Sequence, residues 1–158
     1  MVRLGLDDGN REKFTSQEML DLEYRMVRQS QALSTQSKHT VDLPTREELV
    51  KEHKLSESQA EAFRHIIGDR DIACIVGYAG SGKSYMLNTA RESWEKEGYN
   101  VIGMTLSGIA AENLEGGAGI KSYTVANRIA NWDNDRERLN KNNIIVIDEA
   151  VLGGSKVY

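Results

Sequence analysis

Eight residues constrain this chain more than any others. Gly77-Tyr78-Ala79-Gly80-Ser81-Gly82-Lys83-Ser84 follows the pattern GxxxxGK[ST]. Before it runs Ile72-Ala73-Cys74-Ile75-Val76, short, continuous and apolar, which predicts a buried parallel strand. After it a helix is expected from Lys83 to about Lys96, with Gly98 suited to its C-terminal end and Lys96 to the negative end of its dipole. A strand, a glycine loop and a helix in that order are the context in which such a loop holds phosphate. Glycines let successive backbone N–H groups turn inward around phosphate oxygens, and the helix N-terminus adds favourable potential for an anion. Lys83 supplies a mobile positive charge for the β- and γ-phosphates, and the Ser84 hydroxyl is the natural Mg²⁺ ligand. The expected phosphate and nucleotide contacts are Gly77, Tyr78, Ala79, Gly80, Ser81, Gly82, Lys83, Ser84 and Tyr85.

The rest of the C-terminal stretch alternates strand and helix signals. Tyr99 to Leu106 predicts a second strand, broken at Gly103, and Ile109 to Leu114 a short helix. Glu115 to Gly119 holds three glycines in five residues and reads as a turn or flexible loop. Ser122 is expected to cap a helix reaching Trp132, with Val125, Ile129 and Trp132 on one side, and Asp133–Asn143 to be a solvated connection. Ile144-Ile145-Val146-Ile147 predicts a third buried strand, ending directly on Asp148 and Glu149. This is the α/β pattern, with a parallel sheet and right-handed connections. In such sheets ligands bind at the C-terminal ends of the strands, so Asp148 is placed to hold Mg²⁺ through its water shell. Glu149, beside it, is the candidate base for the attacking water.

Upstream, residues 1–13 are polar and irregular and read as a frayed tail. Thr15 is expected to cap a helix through about Ala32, with Glu18 reaching back and Phe14 packing on Met19. Ser34–Asp42 reads as a linker or mobile loop, followed by a short helix after Thr45 with Glu48 in the capping-box position. A clearer helix start is Ser56 with Gln59 three residues on, followed by Ala60, Phe63, Ile66 and Ile67 as an apolar stripe.

Composition narrows the classes. Over 158 residues, 20 basic against 24 acidic side chains give a net charge of -4, which argues against a broadly basic nucleic-acid surface and leaves room for a local groove. Cys74, the single cysteine, rules out an internal disulfide and a cysteine-built zinc site. No apolar run approaches the ~20 residues needed to cross a bilayer, and no secretory leader is visible, so a cytoplasmic location is expected.

The phosphate loop, the acidic Asp148-Glu149-Ala150 and the segments between them resemble a superfamily 1 DNA helicase. Ser56-Glu57-Ser58-Gln59 is similar to that family's adenine-reading motif, which implies that the Gln59 amide reads the adenine edge; the same side chain also fits an N3 cap. Thr105-Leu106-Ser107-Gly108-Ile109-Ala110-Ala111 looks like the family's segment that meets single-stranded DNA. Phe14-Thr15-Ser16-Gln17-Glu18-Met19 and Lys121-Ser122-Tyr123-Thr124-Val125-Ala126 are similar to the helicase part of TraA-type conjugative relaxase-helicases. The resemblance implies a RecA-like P-loop fold, a three-layer sandwich with a parallel sheet, present in part. It divides the chain into a helical N-terminal extension and linker over 1–50 and a partial RecA-like nucleotide-binding domain over 51–158.

The implied ligands are ATP or ADP and Mg²⁺, and the implied partner is single-stranded DNA, with Lys121, Ser122, Tyr123 and Thr124 at its backbone. Lys83 and Glu149 carry the catalytic roles. The family also has a second motor domain and a relaxase domain. His39, His53 and His65 are scattered and make no relaxase-type cluster. Without the second domain's arginines, weak hydrolysis and no unwinding are expected. From the residues alone, two other classes stay open: a small P-loop kinase using Asp148 for its metal, and a non-enzymatic remnant or assembly module. No lid with paired arginines supports the kinase.

Overall fold

In the computed structural model, which describes residues 1–68, 70–78 and 80–148, the chain divides into two units. One is Met1–His39 with Asp69–Ala73; the other is Thr40–Gly68 with Cys74–Tyr158.

The first unit starts with a hairpin where a frayed tail was expected. Strands β1 (Val2–Leu6) and β2 (Glu12–Thr15) pair antiparallel, with a register shift between Arg3 and Gly5. The turn is organised by Asp7, whose Oδ1 accepts the N–H groups of Gly9 (2.9 Å) and Arg11 (3.0 Å) while Oδ2 accepts Arg11 Nε (3.1 Å). Helix α1 (Gln17–Ser34) follows, capped by Ser16, whose Oγ accepts the Met19 N–H at 3.1 Å. The expected cap, Thr15, is one residue early because its backbone pairs with Val2 in the hairpin. The polar stretch after α1 is tied down as well. Asp71 Oδ1 accepts the Lys38 N–H at 2.8 Å and lies 3.0 Å from His39 Nδ1, and the Asp71 N–H donates to the Gln36 carbonyl at 2.9 Å. Burial pushes the Asp71 carboxyl up, but the Lys38 amide and the His39 ring outweigh it and hold it below the ordinary aspartate value.

The second unit is a mixed α/β fold around a parallel sheet, preceded by helices. Helix α2 (Leu43–Glu52) begins at Asp42, whose carboxylate accepts the Thr45 N–H at 3.1 Å. Pro44 sits in its first turn, so it starts earlier than Thr45 suggested. Helix α3 (Glu57–Ile66) forms where Ser56 and Gln59 predict it, with both halves of the capping box made. Helix α4 (Lys83–Lys96), β3 (Asn100–Thr105), α5 (Gly108–Ala118), β4 (Ser122–Thr124), α6 (Val125–Asp133) and β5 (Asn143–Ile147) complete it.

The sheet order is β4-β3-β5, all parallel, with Gly103 opposite both Ser122 and Val146. Gly103 therefore does not break its strand. A Cβ there would lie 2.1 Å from Ser122 Oγ and 2.9 Å from Leu114 Cδ2, so the glycine allows close packing of strand and helix. The core gathers Leu49, Phe63, Ile67, Met86, Ala90, Trp94, Val101, Leu114, Ala118 and Ile120.

Further expectations are corrected. Ile72–Val76 is not a strand: among the described residues no strand pairs with it, and β5 is bonded to β3 and to no other strand. Its residues alternate between half-buried and exposed, with Ile75 against the core and Val76 98% exposed. Helix α5 runs through Gly116 and Gly117 and closes at Gly119, in left-handed conformation, where a flexible turn was expected. Ser122 opens the short strand β4, and Thr124 caps α6. On α6 the buried side chain is Arg128, whose guanidinium carbon stacks 4.1 Å from the Tyr123 ring centroid and which pairs with Glu137, while Ile129 stays exposed. Strand β5 is half-buried, not buried. Among the described residues, no helix is long and apolar enough to cross a membrane.

Candidate functional site

The glycine loop obtains its shape from two left-handed residues. Gly80 and Gly82 both have φ near +77°, a region that side-chain-bearing residues avoid. Gly82 stands at the N-cap of α4 and supplies no side-chain cap, so the first N–H groups of α4 face the loop without a side-chain acceptor from that position. Aligned helix dipoles add positive potential at the same place. The Lys83 ammonium folds back over the loop and donates to the carbonyls of Gly77 (2.7 Å) and Tyr78 (2.9 Å). An ammonium has three donors, so one remains for a further acceptor. The Ser81 N–H donates to the Tyr78 carbonyl at 3.2 Å, closing the turn.

Gln59 joins this loop from α3. Its Oε1 accepts the Ser56 N–H at 3.0 Å, which is the cap, while Nε2 points at the carbonyls of Gly82 (3.4 Å) and Ser81 (3.5 Å). A Cβ on Gly82 would lie 2.2 Å from Gln59 Nε2. Gly82 is thus required twice, by its φ and by this close approach. One amide group both starts α3 and touches the loop, so the cap does not exclude a place at the site.

The remaining candidates are distributed as follows. Ser84 is exposed in the first turn of α4, and Tyr78 is exposed on the loop. Tyr85 turns toward α2: its hydroxyl donates to the His53 carbonyl at 2.9 Å, and the two rings meet edge-on at 6.1 Å. Asp148 is half-buried at the C-terminal end of β5, with its N–H donating to the Met104 carbonyl at 3.2 Å. Ala79, Glu149 and Ala150 lie outside the described residues. Among the described residues, no group of three or more His, Cys, Asp or Glu side chains could form a metal cage. Ser84 carries a hydroxyl and Asp148 a carboxylate, oxygen groups of the kind Mg²⁺ takes together with phosphate and water.

The expected DNA-facing residues have partners within the chain. The Ser122 hydroxyl donates to the Ile120 carbonyl at 2.6 Å, and Thr124 Oγ1 accepts the Asn127 N–H at 3.2 Å. Tyr123 carries the Arg128 guanidinium on its ring, with Lys121 Nζ 5.9 Å from the centroid. Thr105 is buried and donates to the Ser107 carbonyl at 2.8 Å, while Leu106 and Ile109 are exposed. The contacts of Tyr85 with His53 and of Tyr123 with Arg128 join separate elements, and neither pair has a local spacing that marks it in the sequence.

Three conjugal transfer proteins are similar to this chain. A probable conjugal transfer protein TraA of Sinorhizobium fredii (strain NBRC 101917 / NGR234) is 39% identical over 145 residues, covering 91% of this chain and 13% of that protein. The conjugal transfer proteins TraA of Rhizobium radiobacter and of Agrobacterium fabrum (strain C58 / ATCC 33970) are 39% and 38% identical over the same shares. The chain thus spans about one-eighth of the length of these relatives. No solved structure matches it. The family described as AAA domain matches residues 54–157. That stretch takes in the capping box of α3, the glycine loop and the whole parallel sheet, and the chain accordingly belongs to the AAA domain family of P-loop NTPases.

Proposed function

We propose that this chain is the ATP- and Mg²⁺-binding part of a single-stranded-DNA-translocating helicase of the conjugative transfer type. It would comprise a helical extension over residues 1–50 and a partial RecA-like three-layer domain over residues 51–158, working in the cytoplasm. The observation that carries this reading is the left-handed Gly80 and Gly82 pair, which sets Lys83 and Ser84 at the uncapped start of α4. The 39% identity to conjugal transfer proteins supports the transfer role.

In this reading the Lys83 ammonium exchanges its loop carbonyls for β- and γ-phosphate oxygens. Ser84 and Asp148 hold Mg²⁺, the Gln59 amide reads the adenine edge from its place beside Gly82, and Glu149 orients the attacking water. Bound Mg²⁺ would neutralise charge that develops on the phosphates. Single-stranded DNA would run past Lys121 and Tyr123.

Residues 1–158 alone should bind nucleotide better than they turn it over. Charge on the transferred phosphoryl group needs an arginine clamp, which is worth ~10³–10⁵ in rate in related enzymes. Here Arg46 donates to the Val41 carbonyl, and Arg64, Arg91 and Arg128 pair with Glu47, Glu95 and Glu137.

Calorimetric titration with ATP and ADP, with and without Mg²⁺, tests the reading. Lys83→Ala should weaken binding by about 2 kcal/mol or more, the scale of a lost charge-assisted contact. Unchanged affinity in Lys83→Ala would overturn it. Brisk turnover stimulated by single-stranded DNA would overturn the expectation of weak activity.

A further inference from the structure

The last turn of helix α5 carries two adjacent glycines, Gly116 and Gly117, whose surroundings are opposite. A Cβ on Gly116 would meet nothing within 4 Å. A Cβ on Gly117 would lie 3.1 Å from Ser84 Cβ and 3.2 Å from Ser84 Oγ, closer than such contacts ordinarily come. Both residues belong to a regular helix, and neither has a positive φ. Backbone conformation therefore gives no reason for glycine at either position, and contact gives a reason only at Gly117.

Helix α5 has little freedom to withdraw from that contact. Gly117 itself is exposed, but Leu114 and Ala118, before and after it in the helix, are 2% and 0% exposed. Arg91 of α4 donates through Nε to the Ala118 carbonyl at 3.2 Å, fastening the C-terminal turn of α5 to the helix that carries Ser84. Gly119 closes α5 in left-handed conformation against the same Arg91, whose Nε would be 3.1 Å from a Cβ there. With the helix pinned on both sides of the contact, an added methyl at Gly117 has to be relieved by Ser84.

We infer that Gly117 is a positioning residue for the Ser84 hydroxyl: its bare Cα forms the wall against which that hydroxyl is set for a divalent cation. The inference rests on the reading of Ser84 as a Mg²⁺ ligand given above. The adjacent glycine provides an internal control. Gly116→Ala and Gly117→Ala bring the same gain in helix propensity and the same added methyl, and only the second meets Ser84.

The test measures ADP affinity with and without Mg²⁺ for the wild-type chain, Gly116→Ala, Gly117→Ala, Ser84→Ala and the Gly117→Ala/Ser84→Ala pair. Both affinities are taken on one sample, so a partly unfolded fraction cancels in their ratio. The Mg²⁺-dependent gain should fall about tenfold in Gly117→Ala, the effect of disturbing a group that orients a metal ligand. It should hold at the wild-type level in Gly116→Ala. On the Ser84→Ala background Gly117→Ala should reduce the gain no further. The three-bond couplings of Ser84 Hβ should change in Gly117→Ala and stay put in Gly116→Ala. A metal-dependent wild type in which the two glycine variants behave alike overturns this inference and leaves the role of Ser84 standing. A wild type whose affinity ignores Mg²⁺ overturns the role of Ser84, and this role of Gly117 with it.

Discussion

Helices α1 and α3 are built from the same local signals and end in different circumstances. Each starts on a serine whose hydroxyl accepts the N–H three residues on, Met19 for Ser16 and Gln59 for Ser56. Each carries apolar residues at helical spacing. Yet α1, of 18 residues, buries none of them: Met19, Leu22, Met26 and Val27 stand about half exposed. The shorter α3, of 10 residues, puts Ala60 and Phe63 into the core. A cap and a periodic face are enough to say that a segment will be helical. They do not say how strongly, because a helix of this length draws most of its stability from the surface that it buries. The hairpin β1–β2 shares the condition of α1, since a lone two-stranded ribbon is marginal by itself.

The contrast would be broken most directly by one truncation in each helix. Phe63 is fully buried, so Phe63→Ala should cost about 3–5 kcal/mol through lost transfer energy and the cavity left behind. That is a large part of the ~5–15 kcal/mol that holds a typical domain. Leu22→Ala removes a half-exposed side chain from α1 and should change global stability by about 0.5 kcal/mol or less. Urea unfolding of both variants gives the comparison. Equal losses would mean that α1 is backed by packing after all.

A finer version deletes one hydroxyl in each unit. Ser56→Ala should lower global stability by about 0.5–2 kcal/mol, as cap removal does in a helix coupled to a core. Ser16→Ala removes the same kind of bond. Its effect should instead be local fraying: faster hydrogen exchange over the first turns of α1 and a loss of helical signal, with the main melting transition in place. A fall in that transition equal to the one in Ser56→Ala would remove the distinction between the units.

What was legible in the sequence follows the same line. The capping box of α3, the start of α4 and the apolar run of β5 are properties of a few consecutive residues, and the structure has them where the residues predict. Features that need a neighbour were harder. Ile72–Val76 has the composition of a strand, but a strand exists only when another pairs with it. Strand β4 is three residues long, too short for a period to show, and exists because Gly103 and its neighbours bond to it. The glycines of α5 suggested a turn, yet packing against α4 keeps them helical. Arg128 is buried by a stacked tyrosine and a carboxylate that no spacing announces. The hairpin was hidden for another reason: its strands are only partly apolar, and the turn signal lies in how Asp7 bonds to Gly9 and Arg11. At the candidate site the loop was legible because phosphate binding needs a fixed run of residues. Gln59 was legible as a cap and, through the resemblance, as a candidate for the nucleotide, but its approach to Gly82 has no local signal.

Acidification offers the gentlest comparison, because each unit has an element that starts or turns on a carboxylate, Asp7 in the hairpin and Asp42 at α2. The Arg11 N–H, donating to Asp7, is the main reason the Asp7 carboxyl lies below the ordinary aspartate value, with further help from the Arg11 side chain and the Gly9 N–H. In the second unit, hydrogen bonds from the Thr45 side chain and N–H lower Asp42 likewise. A carboxyl whose folded pKa is depressed stabilises fully above its unfolded pKa, and the contribution is lost as pH falls through the folded one. Both contributions should therefore be present at neutral pH and vanish well into the acid range, below about pH 4. Their consequences should differ. Beside the Asp7 carboxylate the turn has two backbone bonds, from the Asp7 N–H to the Arg11 carbonyl and from the Asn10 N–H to the Asp7 carbonyl, so the amide signals of Gly9 and Arg11, which lose their acceptor, should move toward random-coil positions as Asp7 protonates. Helix α2 keeps Leu49 fully buried and the Arg46 side chain on the Val41 carbonyl, so it should lose its first turn and no more. An NMR titration from about pH 6 to pH 2 follows both at once. A hairpin that outlasts the protonation of Asp7 would show that the first unit has support beyond its turn.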